Sequence, residues 1–339
     1  MNLDIATPAA VVDLDRLEAN LARWQEHCDR VGLANRPHVK THKCVEIARR
    51  QVELGARGVT CQTLHEAEVM VDAGIDDVLV PFNVVGDRKL EQLAQLLARG
   101  RVQVTADDPE LLPGLGRAAK KAGKELEVLV ECDTGLGRVG VTSPEEAAGL
   151  AAAIAGTPGL WFAGLLTFPT PPGAREFLER ASALVEPQTV SAGGTPTMWQ
   201  SGELRPVVTE YRVGTYAFND RNTVASGAAS LDDVALTVAS TVVARRDGRA
   251  VLDAGSKALS SDTAVEGGFG HVLEAPGSTL ERLYEEHGQL SLAGGDDLEL
   301  GRQVRIVPNH ACVVANLFDV LVVVRGDTVE ARWRVERGR

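Results

Sequence analysis

The sequence predicts an α/β protein, a (β/α)8 TIM-type barrel followed by a C-terminal antiparallel β domain. From residue 9 to about residue 220, short β-branched runs alternate with stretches of helical period, which indicates βα units and a parallel sheet. The units recur roughly every 20–30 residues, a spacing that fits the ~200–250 residues of such a barrel. After about residue 225, β-rich pieces follow one another with Gly- and Asp-containing turns, a pattern typical of antiparallel sheet.

The barrel elements follow in order along the chain. The first strand-like run, AAVVDL, precedes a long amphipathic helical segment, DRLEANLARWQEHCDRVG. Eight further strand-like runs come after it: RPHVKTH, GVTCQT, DDVLVPFN, RVQVTAD, LEVLVECD, WFAGLLTFP, QTVSAGG and VVTEYRVGTYAF. Most of them are followed by helical patterns such as DRKLEQLAQLLARG and PEEAAGLAAAIAG. A doubly wound open sheet is the rival architecture, but no GxGxxG opens the first unit, so the pattern favours the barrel.

The second half of the chain predicts a β domain. Its strand-like pieces are VALTVASTVVARR, RAVLDAGS, HVLEA, GQLSLA, QVRIVPNHACVVANLFDVLVVVRG and TVEARWRVE, with TLERLYEEHG as a possible short helix. No long Pro-, Ser- or Gly-rich linker separates the two halves. We therefore expect the barrel at residues 11–225, and a β domain built from residues 1–10 and 226–339.

Composition narrows the functional class. Apolar residues make up 44% and charged residues 24% of the 339, values of an ordinary globular protein. With 35 Lys and Arg against 47 Asp and Glu, the net charge of −12 argues against nucleic acid or an anionic membrane as the partner. No apolar run approaches the ~20 residues of a membrane span, and the start carries acids where a signal peptide would be basic. The five cysteines are scattered and odd in number, so we expect a reduced, cytoplasmic chain.

Lys40 is the first candidate for chemistry, because it lies within the run Arg36–His42. A lysine there points into the barrel or the helix layer, where burial requires a charge partner or a covalent use. At a strand end in a barrel mouth, desolvation lowers the pKa of an amine toward a nucleophile suited to Schiff-base chemistry. A plain ion pair with a carboxylate is the alternative.

A phosphate site is predicted after the seventh barrel strand, where barrels often bind phosphate. The run leads into Ser191-Ala192-Gly193-Gly194-Thr195, in which glycines and a hydroxyl can expose backbone N–H groups to an anion. An ordinary tight turn is the alternative. The next run supplies further possible contacts to the same anion: Tyr211, Arg212, Gly214 and Tyr216.

Two further motifs offer a cation and metal ligands. Arg138 lies among three glycines in DTGLGRVG and suits a phenolate or carboxylate; an ion-paired loop arginine is the alternative. His310 and Cys312, two residues apart on a predicted strand, face the same side and could bind one borderline-soft cation such as Zn²⁺. The alternative to a metal site is a buried cysteine beside a hydrogen-bonded histidine. Glu285-Glu286-His287 could add a ligand or a base, although a solvated turn is the simpler interpretation.

Taken together, the motifs resemble the fold-type III pyridoxal phosphate (PLP) enzymes, specifically the D-threonine aldolase and D-serine dehydratase group with its alanine racemase-like barrel. The resemblance covers nearly the whole chain and rests on the order and spacing of seven segments: PHVKTHK, CQTLHEAE, DTGLGRVG, SAGGTPT, TEYRVGTY, LDAGSKALSSD and PNHAC. It implies Lys40 as the Schiff-base lysine and Arg138 near the cofactor phenolate. It adds cofactor contacts from the same segments: His38, Gln62, Ser191, Gly193, Gly194, Thr195 and Tyr216.

The resemblance also implies a metal and a partner. His310 and Cys312 would bind a divalent ion, with zinc preferred and manganese or magnesium as alternatives. The expected substrate is a small D-amino acid. The group forms head-to-tail dimers whose sites lie between one barrel and the partner's β domain, and the first few residues would join that β domain.

The expected reaction is the lysis of a D-3-hydroxy-α-amino acid, and two outcomes stay open. Retro-aldol cleavage gives glycine and an aldehyde, whereas dehydration of D-serine or D-3-hydroxyaspartate gives a keto acid and ammonia. In the group, aldolases carry a histidine after the sixth barrel strand, whereas Leu166–Gly173 here holds no histidine or other base. Cys312 and this missing base favour dehydration, while the overall type of sequence favours an aldolase, our first expectation.

Two rival classes share part of the pattern. An alanine racemase-like enzyme needs a second acid/base, usually a tyrosine of the β domain, and past residue 216 the chain has only Tyr284. A non-catalytic PLP carrier would be a single barrel, and the extra ~110 residues with PNHAC count against it.

Overall fold

The computed structural model describes residues 3–264 and 266–338. The chain divides into two units. The first contains the chain through Arg23 together with Thr41–Cys44 and Thr215–Arg337, and the second contains Trp24–Lys40 and Val45–Gly214. The first unit has a nine-stranded, mostly antiparallel sheet and the second an eight-stranded parallel sheet. These two sheets confirm the predicted fold class.

The chain begins with strand β1 (Ala9–Asp13), which leads directly into helix α1 (Leu14–Val31). β1 pairs antiparallel with residues 236–239 and parallel with residues 321–324, so the run AAVVDL is not a barrel strand. The assignment of this run to the barrel rhythm was wrong, because a short apolar run does not record which sheet its edges will meet. The expectation that the start of the chain joins the β domain agrees with this pairing.

Eight parallel strands form the barrel sheet: β2 (Ala34–Asn35), β3 (Val59–Thr60), β4 (Asp77–Val80), β5 (Arg101–Ala106), β6 (Leu126–Cys132), β7 (Leu160–Thr167), β8 (Thr189–Gly193) and β9 (Glu210–Arg212). Their order is β2-β9-β8-β7-β6-β5-β4-β3. A parallel bridge between His38 and Thr60 connects the chain after β2 to β3, which closes the ring. Such a barrel collects its loops, and hence its chemistry, at the carboxyl ends of the strands.

The helices follow the strands as the alternation predicts: α2 (Val45–Glu53), α3 (Leu64–Asp72), α4 (Asp87–Arg99), α5 (Leu112–Ala122), α6 (Pro144–Ala155) and α7 (Ala174–Val185). Their boundaries have local causes. Ser143 caps α6 by accepting the Glu146 N–H, and Pro144 occupies the first turn, where its missing N–H costs nothing. The structure contains no helix, among the residues described, with the length and apolar character needed to cross a membrane.

The run RPHVKTH is not a strand along its length, which corrects one prediction. β2 ends at Asn35, and Val39–Thr41 form a 3₁₀ turn that contains Lys40. Pro37 has no N–H for a ladder, and the contacts toward β3 are irregular: the Arg57 N–H donates to the Asn35 carbonyl at 2.9 Å, the Thr60 N–H donates to the Pro37 carbonyl at 2.8 Å, and His38 forms an isolated bridge. Lys40 therefore lies just past the strand, at its carboxyl end.

The sheet of the first unit is completed by strands of the C-terminal half: β10 (Leu236–Arg246), β11 (Arg249–Leu252), β12 (His271–Val272), β13 (Thr279–Leu283), β14 (Gly288–Ser291), β15 (Gln303–Val307), β16 (Val320–Arg325) and β17 (Thr328–Arg334). The main path runs β13-β14-β11-β10-β1-β16-β17, and β15 pairs with β10 and β12. Three short helices interrupt it: α8 (Arg221–Ala225), α9 (Ser256–Leu259) and α10 (Ala311–Ala315).

TLERLYEEHG is a β-hairpin rather than the expected short helix. Its first half is β13, which pairs with β14, and β14 in turn pairs with β11. Leu280 and Leu290 face each other across the hairpin and are fully buried. Pairing with a distant strand outweighs the local helical pattern, because strand preference depends on the surface that the side chains cover.

Candidate active site and metal ligands

Lys40 lies at the carboxyl ends of β2 and β3, where the ring of strands closes. Its side chain is partly buried, and its backbone N–H donates to Nδ1 of His38, 3.4 Å away. The backbone of His38 forms the closing bridge to Thr60. The amine that the sequence singled out therefore lies two residues after the bridge that closes the ring of strands.

His38 and Gln62 are hydrogen-bonded to each other next to this lysine. Burial lowers the pKa of His38 well below its ordinary value, and the positive charges of Lys40 and Arg212 lower it further. The Gln62 backbone N–H donates to Oε2 of Glu66, 2.6 Å, which anchors the turn after β3. His38 is therefore neutral at neutral pH and adds no second cation beside Lys40.

Arg138 lies in the glycine-rich loop after β6, as predicted. One carboxylate shapes this loop: Asp133 accepts backbone N–H groups of Gly135, Leu136 and Gly137, each at 2.8 Å. The Arg138 guanidinium is 4.0 Å from Glu131 Oε1 and 5.6 Å from the centre of the Phe168 ring. Its side chain is half exposed, so a cation is available at the mouth of the barrel.

Glu131 is the buried carboxylate behind Arg138. Burial raises its pKa, against the lowering effects of the Thr105 hydroxyl, which donates to it at 3.0 Å, and of Arg212 and Arg138. Sequence reasoning did not single it out. The signal was present, since Glu131 is a charged residue inside the apolar run LEVLVECD, where an unpaired charge would be costly.

A buried polar network continues from there into the barrel. Arg212 donates to Ser191 Oγ at 2.5 Å and to the Thr167 carbonyl at 2.9 Å, and burial lowers its pKa to about 10. Ser191 donates to Glu210 at 2.6 Å, and Glu210 accepts from Arg36 at 2.7 Å. Ser191, a predicted cofactor contact, is fully buried within this network. The role of the network's acidic members was missed by the sequence analysis.

The predicted phosphate segment follows β8. Gly193 packs against Arg212, since a Cβ there would lie 2.5 Å from the Arg212 carbonyl oxygen. Gly194 has φ +138°, a conformation reserved for glycine, and a Cβ there would point at Thr197, Phe168 and the Tyr211 hydroxyl. Thr195 then opens the 3₁₀ stretch Thr195–Leu204. The segment is buried, the Gly194 N–H donates to the Arg212 carbonyl at 3.2 Å, and the hydroxyls of Thr197 and Tyr211 lie near Gly194.

These residues fit PLP. An amine at a strand end suits its aldehyde and Arg138 suits its phenolate, while the hydroxyls of Thr197 and Tyr211 near Gly194, at the start of the 3₁₀ stretch, suit its phosphate. Tyr216, the remaining predicted contact, is a buried residue of the 3₁₀ turn Thr215–Ala217 in the first unit.

His310 and Cys312 lie at the start of a helix, which corrects the prediction that both lie on one strand. β15 ends at Val307, and α10 begins at Ala311 with His310 as its N-cap residue. The Asp220 carboxylate accepts the Ala311 N–H at 2.9 Å and so satisfies the first turn of the helix. The two side chains nevertheless meet, in a hydrogen bond to each other.

The His310–Cys312 pair has the chemistry of a metal site. That hydrogen bond raises the pKa of His310 to about 9. Burial alone raises the pKa of Cys312, but His310 and the hydroxyls of Thr41 and Thr215, 3.1 and 3.5 Å from its sulfur, bring it below its ordinary value. Nδ1 of His310 is hydrogen-bonded to Asp262 at 2.9 Å, which leaves Nε2 for a metal, the usual arrangement of a metal-bound histidine.

The donor set fits a divalent ion with open positions. Within residues 3–264 and 266–338, no group of three or more His, Cys, Asp or Glu side chains could hold a metal. A pair of protein ligands leaves positions for water and substrate. Glu285 and Glu286 lie exposed in the β13–β14 hairpin loop and pair with Lys257 of α9, which agrees with the solvated turn.

Comparison with known proteins matches both halves of the chain to described families. Residues 12–222 match the alanine racemase N-terminal domain, and residues 235–324 match the putative serine dehydratase domain. A D-threonine aldolase of Arthrobacter sp. is 34% identical over 98% of this chain and 92% of its own length. The D-threo-3-hydroxyaspartate dehydratase of Delftia sp. (strain HT23) is 34% identical over 98% and 97%.

Solved structures agree with these matches. The D-threonine aldolase from Filomicrobium marinum superposes with a TM-score of 0.89 at 38% identity, covering 98% of this chain and 96% of that one. A cysteine-to-alanine variant of a D-threo-3-hydroxyaspartate dehydratase, solved in a metal-free form, superposes with a TM-score of 0.88 at 32% identity, covering 99% of both chains.

Proposed function

From the premise that this chain belongs to the fold-type III PLP enzymes that join an alanine racemase N-terminal domain to a serine dehydratase domain, we propose that it is a PLP- and divalent-metal-dependent lyase of D-3-hydroxy-α-amino acids. The relatives named above are PLP-dependent aldolases and dehydratases, and both are lyases. The observation that carries the proposal is the position of Lys40 at the closing point of the strand ring, beside neutral His38.

Lys40 holds the cofactor and moves protons in this proposal. PLP supplies an electron sink for the pair of electrons released at the substrate Cα. Arg138 supports the phenolate oxygen, and the Gly193–Thr195 segment binds the phosphate. Burial and the positive charges of Lys40 and Arg212 keep His38 neutral, so the group beside Lys40 is an uncharged imidazole.

His310 and Cys312 hold the metal ion. We propose Zn²⁺, because imidazole and thiolate are borderline-soft and soft donors; Mn²⁺ and Mg²⁺ are the alternatives. The ion supplies Lewis-acid polarisation of the substrate's β-hydroxyl. Asp262 fixes the ring of His310, so Nε2 is the nitrogen offered to the ion.

The reaction we propose first is retro-aldol cleavage. The β-hydroxyl loses its proton, the Cα–Cβ bond breaks, and its electron pair stays on Cα, which then takes up a proton to give glycine and an aldehyde. Dehydration is the second candidate, in which Lys40 removes the α-proton and the β-hydroxyl leaves, giving a keto acid and ammonia after hydrolysis. Cys312 and the segment Leu166–Gly173, which has no ionisable side chain, favour this second reaction.

Racemisation is poorly supported. Tyr284, the tyrosine a racemase would use, is 49% exposed in the β13–β14 hairpin loop. Its ring lies 5.0 Å from the Arg282 guanidinium. Its exposed side chain lies at the surface of the first unit rather than buried.

Product analysis tests the proposal. The purified enzyme, loaded with PLP and Zn²⁺, is incubated with D-threonine, D-serine and D-3-hydroxyaspartate in turn. Glycine plus an aldehyde means aldolase, keto acid plus ammonia means dehydratase, and an inverted α-centre means racemase. A chelator should abolish lysis and leave PLP bound; lysis that survives complete metal removal contradicts the metal role.

We further propose a cytoplasmic homodimer that acts on a small-molecule D-amino acid, with neither nucleic acid nor membrane as a partner. The charge of −12 supports the absence of a polyanionic partner. Light scattering should give about twice the 36.0 kDa chain mass, and a monomer at working concentration contradicts the dimer.

A further inference from the structure

We propose that Asn309 is a positioning residue for the metal ligand His310, acting through the loop that carries Asp262. The inference rests on the proposed function, because the metal is part of it. It concerns how this chain holds its imidazole ready for the ion, and it assigns a role to a side chain that neither touches the ion nor titrates.

Asn309 is completely buried, and every polar atom of its side chain is hydrogen-bonded. Its amide donates to the carbonyl oxygens of Asp262 and Gly268, at 2.7 and 2.9 Å, and its oxygen accepts from the Arg221 guanidinium at 2.9 Å. Both N–H groups and the oxygen therefore have protein partners. A buried amide satisfied in this way fixes the relative position of the three segments that it joins.

The hydrogen bond that His310 Nδ1–H donates to the Asp262 carboxylate needs such support. The two side chains are 40% and 44% exposed, so solvent competes for their 2.9 Å contact. Asn309 lies next to His310 in sequence and binds the Asp262 backbone. It therefore ties the residue that presents the imidazole to the residue that orients it.

The other side of the same segment is fixed by two neighbouring residues. The Arg221 backbone N–H donates to the Pro308 carbonyl at 3.0 Å, and Asp220 accepts the Ala311 N–H at 2.9 Å. Residues 308–311 are thus held from α8 independently of the Asp262 loop. Asn309 connects the Asp262 end of the loop to this fixed segment, whereas Arg221 of α8 holds the other end by donating to the Gly267 carbonyl at 2.9 Å. The loss of Asn309 should therefore free the Asp262 end of the loop while residues 308–311 stay in place.

The test measures metal affinity and ligand geometry rather than activity. Zn²⁺ affinity of the PLP-loaded protein is measured by competition with a chromophoric chelator, and Co²⁺ is substituted to record its thiolate and ligand-field absorption. Asn309→Ala should weaken Zn²⁺ binding by about 10-fold or more, a typical loss for a residue that supports a ligand, and should alter the Co²⁺ spectrum.

Asn20→Ala is the matched control. Asn20 is 3% exposed in the same unit and donates to two backbone carbonyls, of Ala217 and Asp233, so its loss costs similar hydrogen bonds. Its Zn²⁺ affinity and Co²⁺ spectrum should equal those of the wild type. Equal losses in the two variants would mean general destabilisation and would overturn the proposal.

The remaining outcomes are also decisive. An Asn309→Ala protein with wild-type affinity and an unchanged Co²⁺ spectrum overturns the positioning role. If that variant does not fold, Asn309→Ser keeps a small polar side chain whose single O–H cannot bond both the Asp262 and the Gly268 carbonyls, and it should still alter the Co²⁺ spectrum; an unchanged spectrum contradicts the proposal. A wild-type protein that binds no Zn²⁺ contradicts the proposed metal site itself. Failure of the metal site is therefore distinguishable from failure of the role proposed for Asn309.

Discussion

Single side chains within the barrel unit differ in whether their charge survives burial. His38 gives up its charge, because burial and two neighbouring cations lower its pKa. Arg212 keeps its charge even though burial lowers its pKa to about 10, with Glu210 and Glu131 nearby. The barrel interior therefore contains fixed charges, and Lys40 has a neutral imidazole beside it.

Replacement of Lys40 should remove covalent cofactor. Wild-type protein incubated with PLP and reduced with borohydride should carry the label on the peptide that contains residue 40, as detected by mass spectrometry. Lys40→Ala should lose this label and fall at least about 10³-fold in turnover, since the nucleophile is gone. Lys257→Ala, at an exposed ion pair, should label normally. A label on another lysine of the wild type contradicts the assignment.

Glu131 should leave a signature in the pH dependence of stability. Burial raises its pKa, so between the unfolded and folded pKa values the native state binds more protons than the unfolded state. Stability contributed by this group is therefore present at low pH and is lost as the pH rises through that window. Glu131→Gln does not titrate, so the wild type should lose stability relative to this variant from about pH 4 upward.

Urea unfolding of both proteins between acid and neutral pH measures that difference. Glu53→Gln, at an exposed position, serves as a control, and its stability should show the same pH dependence as that of the wild type. If the difference in the free energy of unfolding between the wild type and Glu131→Gln stays constant with pH, the pKa of the buried Glu131 carboxyl is not raised.

At the scale of elements, the β13–β14 hairpin shows how distant segments support each other. Its loop carbonyls, at Tyr284 and Glu285, accept the first N–H groups of α9, from Ser256 at 2.8 Å and Lys257 at 3.1 Å. The hairpin loop thus caps a helix of another segment. Gly255 lies at the contact, where the two backbones approach too closely for any side chain.

Gly255→Ala should therefore destabilise the first unit. The new Cβ would lie 2.4 Å from the carbonyl oxygens of Tyr284 and Glu285 and 2.5 Å from the His287 nitrogen, all backbone atoms. We expect a loss of about 1–3 kcal/mol in the free energy of unfolding, measured with urea. Gly149→Ala, in α6 with no atom within 4 Å of its Cβ position, should be neutral or slightly stabilising. An unchanged Gly255→Ala protein would contradict the close contact.

At the scale of the whole molecule, each unit is built from separate stretches of chain. β1 pairs with β10 and β16, more than 200 residues away along the chain. The short stretch Thr41–Cys44 likewise belongs to the first unit, and it brings the Thr41 hydroxyl to the sulfur of Cys312. The environment of Cys312, the proposed metal ligand near the end of the chain, thus depends on a residue near its beginning.

What the amino-acid sequence alone determined was the alternation of βα units, the change to β structure after residue 225, and the motifs around Lys40, Arg138 and Gly193–Gly194. These follow from local periodicity and from the chemistry of short segments. Tertiary structure alone decided that AAVVDL joins the second sheet, that TLERLYEEHG forms a hairpin, and that His310 caps a helix. It also decided the hydrogen-bond partners of Glu131 and Asn309. Strand pairing and burial are interactions between residues far apart in the chain, and a local pattern carries no record of its distant partner.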